Sequence, residues 1–404
     1  MTVATEAAPP GRRGGGAGLA VLLTFLVAMG PVSTDLYLPS LPGIARDLET
    51  SDALAQLTLG LFIAGFAIMM LVCGPLADRL GRKPVLLGGM AIFVLASIAC
   101  ALSPDIWVLL GARFVQALGA SVGPVVGRAI VRDLYGPRAA GRILGYMASA
   151  MAFAPLVAPF VGGWLEVAHG WRASFWLLAG YGVVLSLALA WRLEETLARP
   201  AAGPLLSLRL LHDFRLILAN RTFLGFMLCA ALAFGALFTW ISNSAFVVID
   251  HFGVPPQRFG WAFGAVIAGY IVGAFAGSRV GMRFGLSAST ASGTTIAALA
   301  GLGLVLAGWT GQGGLSALVA LMALSFVGVG LVIPQATAGA LGPFPTLAGT
   351  ASALMGFLQM MTGLAVNAVS GLLFDGTPRP MVSLNALCAL LALAAYTFLL
   401  RRRR

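Results

Sequence analysis

Apolar residues recur along this chain in twelve runs, at 18–39, 54–73, 85–102, 106–127, 143–165, 173–191, 222–249, 259–278, 286–309, 314–334, 347–373 and 382–400. Short stretches between them collect the charges, prolines and glycines. About twenty residues of α-helix, at about 1.5 Å each, cross the hydrocarbon core of a bilayer, whereas barrel strands would alternate over segments of about ten. The pattern predicts an all-α polytopic membrane protein with twelve transmembrane helices. The longest connection, 192–221, holds Glu194, Glu195, Arg199, Pro200, Pro204, Arg209, Asp213 and Arg215. It divides the chain into two six-helix bundles, 18–191 and 222–400. A disordered tail, 1–17, precedes them and a basic tail, 401–404, follows.

The halves read as repeats. Arg79-Leu80-Gly81 after the second run and Arg283-Phe284-Gly285 after the eighth lie 204 residues apart, as do the starts of the first and seventh runs. Parallel halves with cargo at their interface are a transporter plan. With the N-terminus inside, the segments on that side hold twenty Lys and Arg against four outside (Arg46, Arg172, Arg258 and Arg379), which predicts that both termini are cytoplasmic.

Composition agrees: 59% of residues are hydrophobic, 10% are charged and the mean hydropathy is +0.94, against about 25% charged residues in soluble domains. The net charge of +11 does not indicate nucleic acid, because the basic residues sit in short loops between apolar runs. Arg12 and Arg13 precede an apolar run too long for a signal-peptide core and without a small-residue cleavage site, so a retained first helix is predicted. Cys73, Cys100, Cys229 and Cys388 all lie in apolar runs and read as small buried hydrophobes. His169, His212 and His251 fall in connections far from any Cys, and no phosphate-binding glycine loop is present. No metal, cofactor or enzymatic constellation is expected, and ATP is not the expected energy source. Trp107, Trp164, Trp171 and Trp176, near run ends, are expected as interfacial anchors.

Four constellations carry candidate chemistry. The first is Gly74-Pro75-Leu76-Ala77-Asp78-Arg79-Leu80-Gly81-Arg82-Lys83-Pro84 between the second and third runs. Its Gly and Pro force a tight turn; Asp78 suits the positive end of a neighbouring helix and the bases suit helix C-terminal ends. The second is Asp35 with Arg113, the one acid and the one base placed deep in apolar runs. A charge at such depth costs roughly 2.5–3.5 kcal/mol on insertion scales and is a functional candidate by default. The third is Pro155, Pro159, Gly162 and Gly163 in the fifth run, a bent helix with a small face. The fourth is a candidate pocket of Tyr37, Gln116, Met151, Phe234, Phe238, Thr239, Trp240, Asn243 and Gln359, with Met147, Tyr270 and Asn367 as further soft or polar groups. Aromatic walls with a few polar groups suit amphipathic ligands, although most such side chains in membrane helices simply pack.

The first loop resembles the G-x-L-A-D-R-x-G-R-K signature of the major facilitator superfamily. Arg113-Phe114-Val115-Gln116-Ala117-Leu118-Gly119 resembles its fourth-helix motif, and Ala154-Pro155-Leu156-Val157-Ala158-Pro159-Phe160-Val161-Gly162-Gly163 resembles its fifth-helix antiporter motif. Asp35-Leu36-Tyr37-Leu38-Pro39-Ser40-Leu41-Pro42 and Gly349-Thr350-Ala351-Ser352-Ala353 are similar to stretches of the Bcr/CflA drug-efflux subfamily. The resemblance spans 18–400 and implies twelve helices, alternating access, drug/proton exchange, and location in the bacterial inner membrane. Where some related antiporters carry a second acid two turns before Asp35, this chain has Val27, so one exchangeable proton per cycle is expected.

Asp35 lies about six residues before one end of its run and Arg113 about seven after the corresponding end of its own, so both sit roughly 9–11 Å deep. Equal depth permits pairing or a water bridge. Burial disfavours a carboxylate's charge and a neighbouring guanidinium favours it, so Asp35 is expected to carry the coupling proton and Arg113 to tune it. The reading is proton-coupled efflux of small amphipathic drugs by a monomer in a lipid bilayer. Proton-coupled transport of one metabolite, a static Asp35–Arg113 pair, and a receptor without turnover are the alternatives.

Overall fold

The structure is a computed structural model and describes residues 16–135, 137–197 and 208–401. The tail before residue 16, the middle of the connection at 198–207, and residues 402–404 lie outside the described residues. Twelve helices are long and apolar enough to span a membrane: α1 (Ala17–Asp47), α2 (Asp52–Leu80), α3 (Arg82–Ala101), α4 (Ile106–Leu134), α5 (Ala139–His169), α6 (Arg172–Arg192), α7 (Arg221–His251), α8 (Pro256–Phe284), α9 (Leu286–Thr310), α10 (Gly314–Leu341), α11 (Pro345–Leu373) and α12 (Arg379–Leu400). Three of them, α2, α4 and α7, start at a side-chain cap. Ser51 Oγ accepts from Leu54 N–H, Asp105 Oδ1 from Trp107 and Val108, and Asn220 Oδ1 from Thr222 and Phe223, satisfying amides that a helix start leaves unpaired.

The repeat is visible in the helix starts: Ala17 and Arg221, Asp52 and Pro256, and Arg82 and Leu286 are each 204 residues apart. The turns before α3 and α9 both need glycine, since Gly81 has φ +101° and Gly285 φ +90°. Along the connection a short helix, Leu208–Ala219, lies against α7 and α11 with Ile217 fully buried. It contains His212, and His169 and His251 end helices α5 and α7, so the expectation that the three histidines lie in connections is corrected.

Within α1 the α-helix ends at Asp35, and Leu38–Ser40 forms a single 3₁₀ turn before helix resumes at Leu41–Asp47. Pro39 and Pro42 account for the break, each removing a backbone donor, whereas the helix continues through Pro31. α5 continues through Pro155 and Pro159.

The halves meet along two seams, α2 with α11 and α5 with α8. At the end away from the termini, here called the distal end, both seams are closed. Asn367 Nδ2 donates to Gln56 O at 3.3 Å, and Gly371 lies against the backbone of Ala53. Phe160 rests on Gly260 and meets Trp261 edge-on at 5.1 Å. Toward the termini, a cavity of about 440 Å³ opens between α2, α4, α5 and α11.

Three anchor assignments hold in position: Trp107, Trp164 and Trp176 are exposed at helix ends. Trp171 does not. It is 3% exposed, donates Nε1–H to Asp47 at 2.9 Å and lies under the Arg172 guanidinium. An acid at the end of α1 turned its polar edge inward. All four cysteines are buried and unpaired.

Candidate functional site at the junction of the two halves

The two membrane-depth charges do not pair. Arg113, fully buried on α4, donates from Nη1 to Ser33 O at 3.2 Å and to Gln116 Oε1 at 2.5 Å. Its guanidinium carbon lies 4.3 Å from the ring centres of both Tyr37 and Phe62 and 5.7 Å from that of Phe175. Gln116 passes the contact on to Ser97 Oγ at 2.7 Å, and the Tyr37 hydroxyl meets Thr58 Oγ1 at 3.0 Å. Tyr37 and Gln116, placed in the pocket by sequence, are thus partners of Arg113 inside the first half.

The direct Asp35–Arg113 pairing expected from equal depth is corrected by the helix wheel. Residues advance about 100° each around an α-helix. Ser33 and Tyr37, four apart, share the side of α1 that Arg113 touches, and Asp35 lies about 200° from Ser33 on the opposite side. Beyond Asp35, the Leu36 carbonyl and the Pro39 ring pack on Gly162 of α5. The following 3₁₀ turn touches α7 and α8 of the second half. Asp35 is 2% exposed; Thr34 Oγ1 donates to its Oδ1 at 3.1 Å, and no base lies within ion-pair distance among the described residues. The carboxyl is buried at the end of the first segment of α1, just before the turn that meets the second half.

The two α5 glycines divide their work. Gly162 faces α1 in its own half, and Gly163 faces the Pro256 carbonyl at the start of α8 in the other. Neither site has room for a β-carbon.

In the second half, Phe234 and Phe238 stack at 5.7 Å beside Gly363 of α11. Trp240, fully buried, stacks on Phe263 at 6.3 Å. Thr239, the repeat counterpart of Asp35, is turned into its own half: Asn385 Nδ2 donates to Thr239 Oγ1 at 3.4 Å and to Ala236 O at 3.0 Å, while Asn385 Oδ1 accepts from Ser325 Oγ at 3.1 Å. Asn243 donates to Ser370 Oγ at 2.6 Å. Of the predicted pocket, Met151, Phe234 and Gln359 keep partial exposure, and the others are buried.

The loop between α2 and α3 is organised differently from its sequence reading. Asp78 does not sit at a helix N-terminus; it pairs with Arg82 of its own loop at 2.6 Å. Arg82 Nε also reaches Asp133 at 3.2 Å. The helix-start role falls to Glu195, which sequence reasoning left in the connection. Its carboxylate accepts from Arg82 N–H at 3.0 Å, Lys83 N–H at 3.1 Å and Leu197 N–H at 2.8 Å. Partial burial works against the charge, but these amides hold the carboxyl below its usual range. Lys83 Nζ meets the Ala190 carbonyl at the end of α6, as the basic cluster was expected to do. Gly74 approaches Val125 of α4, and Arg79 is exposed.

A missed pair, Arg46 and Asp250, bridges the halves at the distal end at 3.1 Å. Its members are 204 residues apart, so the repeat offset itself was the available signal.

Twelve spanning helices in two repeated halves, closed at one end and cleft at the other, define a membrane transporter. The chain belongs to the Major Facilitator Superfamily, whose family model matches residues 21–366. Among curated relatives, the "Uncharacterized MFS-type transporter YdgK" of Bacillus subtilis is 34% identical over 391 residues, covering 95% of this chain and 96% of the relative. "Multidrug resistance protein D" of Escherichia coli is 30% identical over 370 residues, 88% and 89% of the two chains. The "Bicyclomycin resistance protein homolog" of Haemophilus influenzae is 29% identical over 381 residues, 94% and 95% of the two. Among solved structures, a bacterial homologue of the human lysosomal transporter Spinster in an inward-facing conformation superposes with TM-score 0.72 at 17% identity, covering 97% of this chain and 96% of that one. The Escherichia coli xylose transporter XylE in a partially occluded inward-open conformation gives 0.70 at 14%, covering 94% and 96%.

Proposed function

We propose that this protein exports small amphipathic drugs in exchange for protons, with both termini in the cytoplasm. Efflux is supported by the relatives named for multidrug and bicyclomycin resistance. In this reading the open cleft is the loading side, the distal seams are the closed exit, and Asp35 is the proton carrier.

The observation that carries the reading is the position of Asp35. It is an acid at membrane depth, sealed from water, with no cation within ion-pair distance among the described residues, three residues before the turn of α1 that touches the second half. A buried carboxyl without a counter-ion keeps its charge only at high cost. Separating the distal ends would expose it and lift that cost, so its protonation and the state of the seam are coupled. Arg113 is a positioning residue: it fixes the turn carrying Asp35 through the Ser33 carbonyl and the Tyr37 ring. Asp78 and Arg82 are the latch for the cytoplasmic face, engaged when the cleft closes.

Asp35→Asn, reconstituted at matched amounts, should bind drug yet fail to move protons on drug addition or to export drug down an imposed pH gradient. Gradient-driven export by Asp35→Asn at the wild-type rate would overturn the assignment.

A further inference from the structure

Arg128 and Arg132 are four residues apart on α4 and line the cavity that opens toward the termini. They therefore share one face of the helix, where like charges repel. No carboxylate neutralises either among the described residues. The adjacent acid, Asp133, is turned about 100° away and is engaged by Arg82 and Thr196. Basic residues at a membrane protein's cytoplasmic ends are ordinarily lipid anchors, but these two face a cleft between the halves. The cavity's other walls are apolar or small, with Met70 of α2, Leu144 of α5, and Gly349 and Ser352 of α11. The helical part of α11 begins at Ala348 with no side-chain cap and no acid in its first turn, so the positive end of its dipole adds to the same field.

We propose that this mouth is a binding site for the anionic group of an amphipathic molecule: a carboxylate, sulfonate or phosphate held between the two guanidiniums while its apolar body lies along Met70 and Leu144. The inference deepens the efflux reading and rests on the cleft being the loading side. It assigns the cargo class as neutral or acidic amphiphiles, with cations rejected at the entrance. Planar guanidiniums match oxyanions by paired hydrogen bonds, which an ammonium on Lys reproduces only as charge. The same chemistry has two sources, a soluble acid and the headgroup of an anionic lipid.

The test uses the full-length protein in phosphatidylcholine nanodiscs and three probes with one fluorophore: dansylglycine (anionic), dansylamide (neutral) and dansylcholine (cationic). Dansylglycine should bind at least about ten-fold more tightly than dansylcholine, the scale of one charge-assisted hydrogen bond, and should weaken as ionic strength rises. Arg128→Gln with Arg132→Gln should abolish that preference while leaving dansylamide affinity unchanged, which also reports an intact cleft. Arg128→Lys with Arg132→Lys should retain part of it. Replacing phosphatidylcholine by phosphatidylglycerol separates the sources. A loss of dansylglycine affinity in the wild type but not in the Gln variant places a headgroup at the site, and no loss assigns it to soluble acids. Asp35→Asn should bind dansylglycine as the wild type does, so failure of proton coupling and failure of the anion site are read separately. Equal affinity for the three probes, or an unchanged preference in the Gln variant, would overturn the proposal.

Discussion

Adding one methyl group at Gly163 should tilt the balance between the two conformations. A β-carbon there would overlap the Pro256 carbonyl oxygen and stand 2.9 Å from its carbon and 3.2 Å from Gln257 Cα. All three are backbone atoms, so no rotamer change relieves the contact, and α5 and α8 must separate. Overpacking of this kind costs about 1–3 kcal/mol. The cost falls on the distal-closed state alone, because the contact joins different halves. At about 1.4 kcal/mol per ten-fold, the ratio of distal-open to distal-closed protein should rise about five-fold to 150-fold in Gly163→Ala. Gly162→Ala supplies the contrast. Its β-carbon would meet the Leu36 carbonyl within the same half, so it should lower thermal stability without shifting the ratio. Gly111→Ala, facing open space, should do neither. Spin labels at Leu102 and Gln312, in distal loops of opposite halves, would report the populations by pulsed distance measurement. The reasoning fails if Gly163→Ala lowers stability with no new distance population, or if both neighbouring glycines move the distribution alike.

Three further outcomes follow from the same geometry. Gln116→Leu leaves the buried guanidinium with one acceptor fewer and should cost about 3 kcal/mol, whereas Arg113→Met removes the buried charge itself and should change stability by less than about 2 kcal/mol; thermal unfolding in detergent would contradict this by giving the reverse order. Glu195→Ala should cost about 1 kcal/mol by uncapping α3. Because folding lowers the Glu195 pKa, the wild type's advantage over Glu195→Ala should be complete above the ordinary Glu value of about 4.3 and fade as pH falls through the lower folded value; an advantage that grew on acidification would refute the assignment. The exposed Arg46–Asp250 pair should contribute less than about 1 kcal/mol, so Asp250→Asn should shift the distal equilibrium less than about five-fold in the label experiment. A larger shift would move the closing force from backbone packing to this ion pair.

What sequence could and could not reveal follows from which coordinate each feature depends on. Helix number, order and depth are properties of distance along the chain, so the apolar runs placed all twelve spans, and the 204-residue offset anticipated the paired glycine turns at Gly81 and Gly285. The Asp35–Arg113 expectation was right in depth and wrong in azimuth. Which side of α1 turns to α4 is decided by Tyr37, Phe62 and Phe175 closing around the guanidinium, and those rings come from three different helices. Trp171 failed for a related reason: a tryptophan near a run end is an anchor only if no nearby acid takes its N–H, and Asp47 lies 124 residues away in sequence. Glu195 was invisible for the same kind of separation, capping a helix that starts 113 residues earlier. The α5 glycines were legible as a close-approach surface, but not that adjacent residues face different halves.

The two halves share a backbone plan and differ in what they bury. The first half holds a guanidinium at its centre and an acid at its edge, while the equivalent depth of the second half is filled by neutral groups, with Asn385, Thr239 and Ser325 satisfying one another. A neutral network responds little to pH between 5 and 8, whereas a sealed acid changes charge whenever water reaches it. In the proposed reading, a proton response in the membrane interior therefore originates in the first half and reaches the second across their contacts. Those nearest Asp35 are the Leu38–Ser40 turn on α7 and α8 and the Gly163–Pro256 approach. Both lie at the distal end, so movement of α1 on a change of charge at Asp35 acts first on the closed seam. The amides at the α2–α11 seam push the same way: Gln56 Oε1 and Nε2 and Asn367 Oδ1 are buried without hydrogen-bond partners among the described residues. Unpaired groups of this kind cost about 1–3 kcal/mol each when shut away from water. The closed seam thus carries a standing cost that opening relieves.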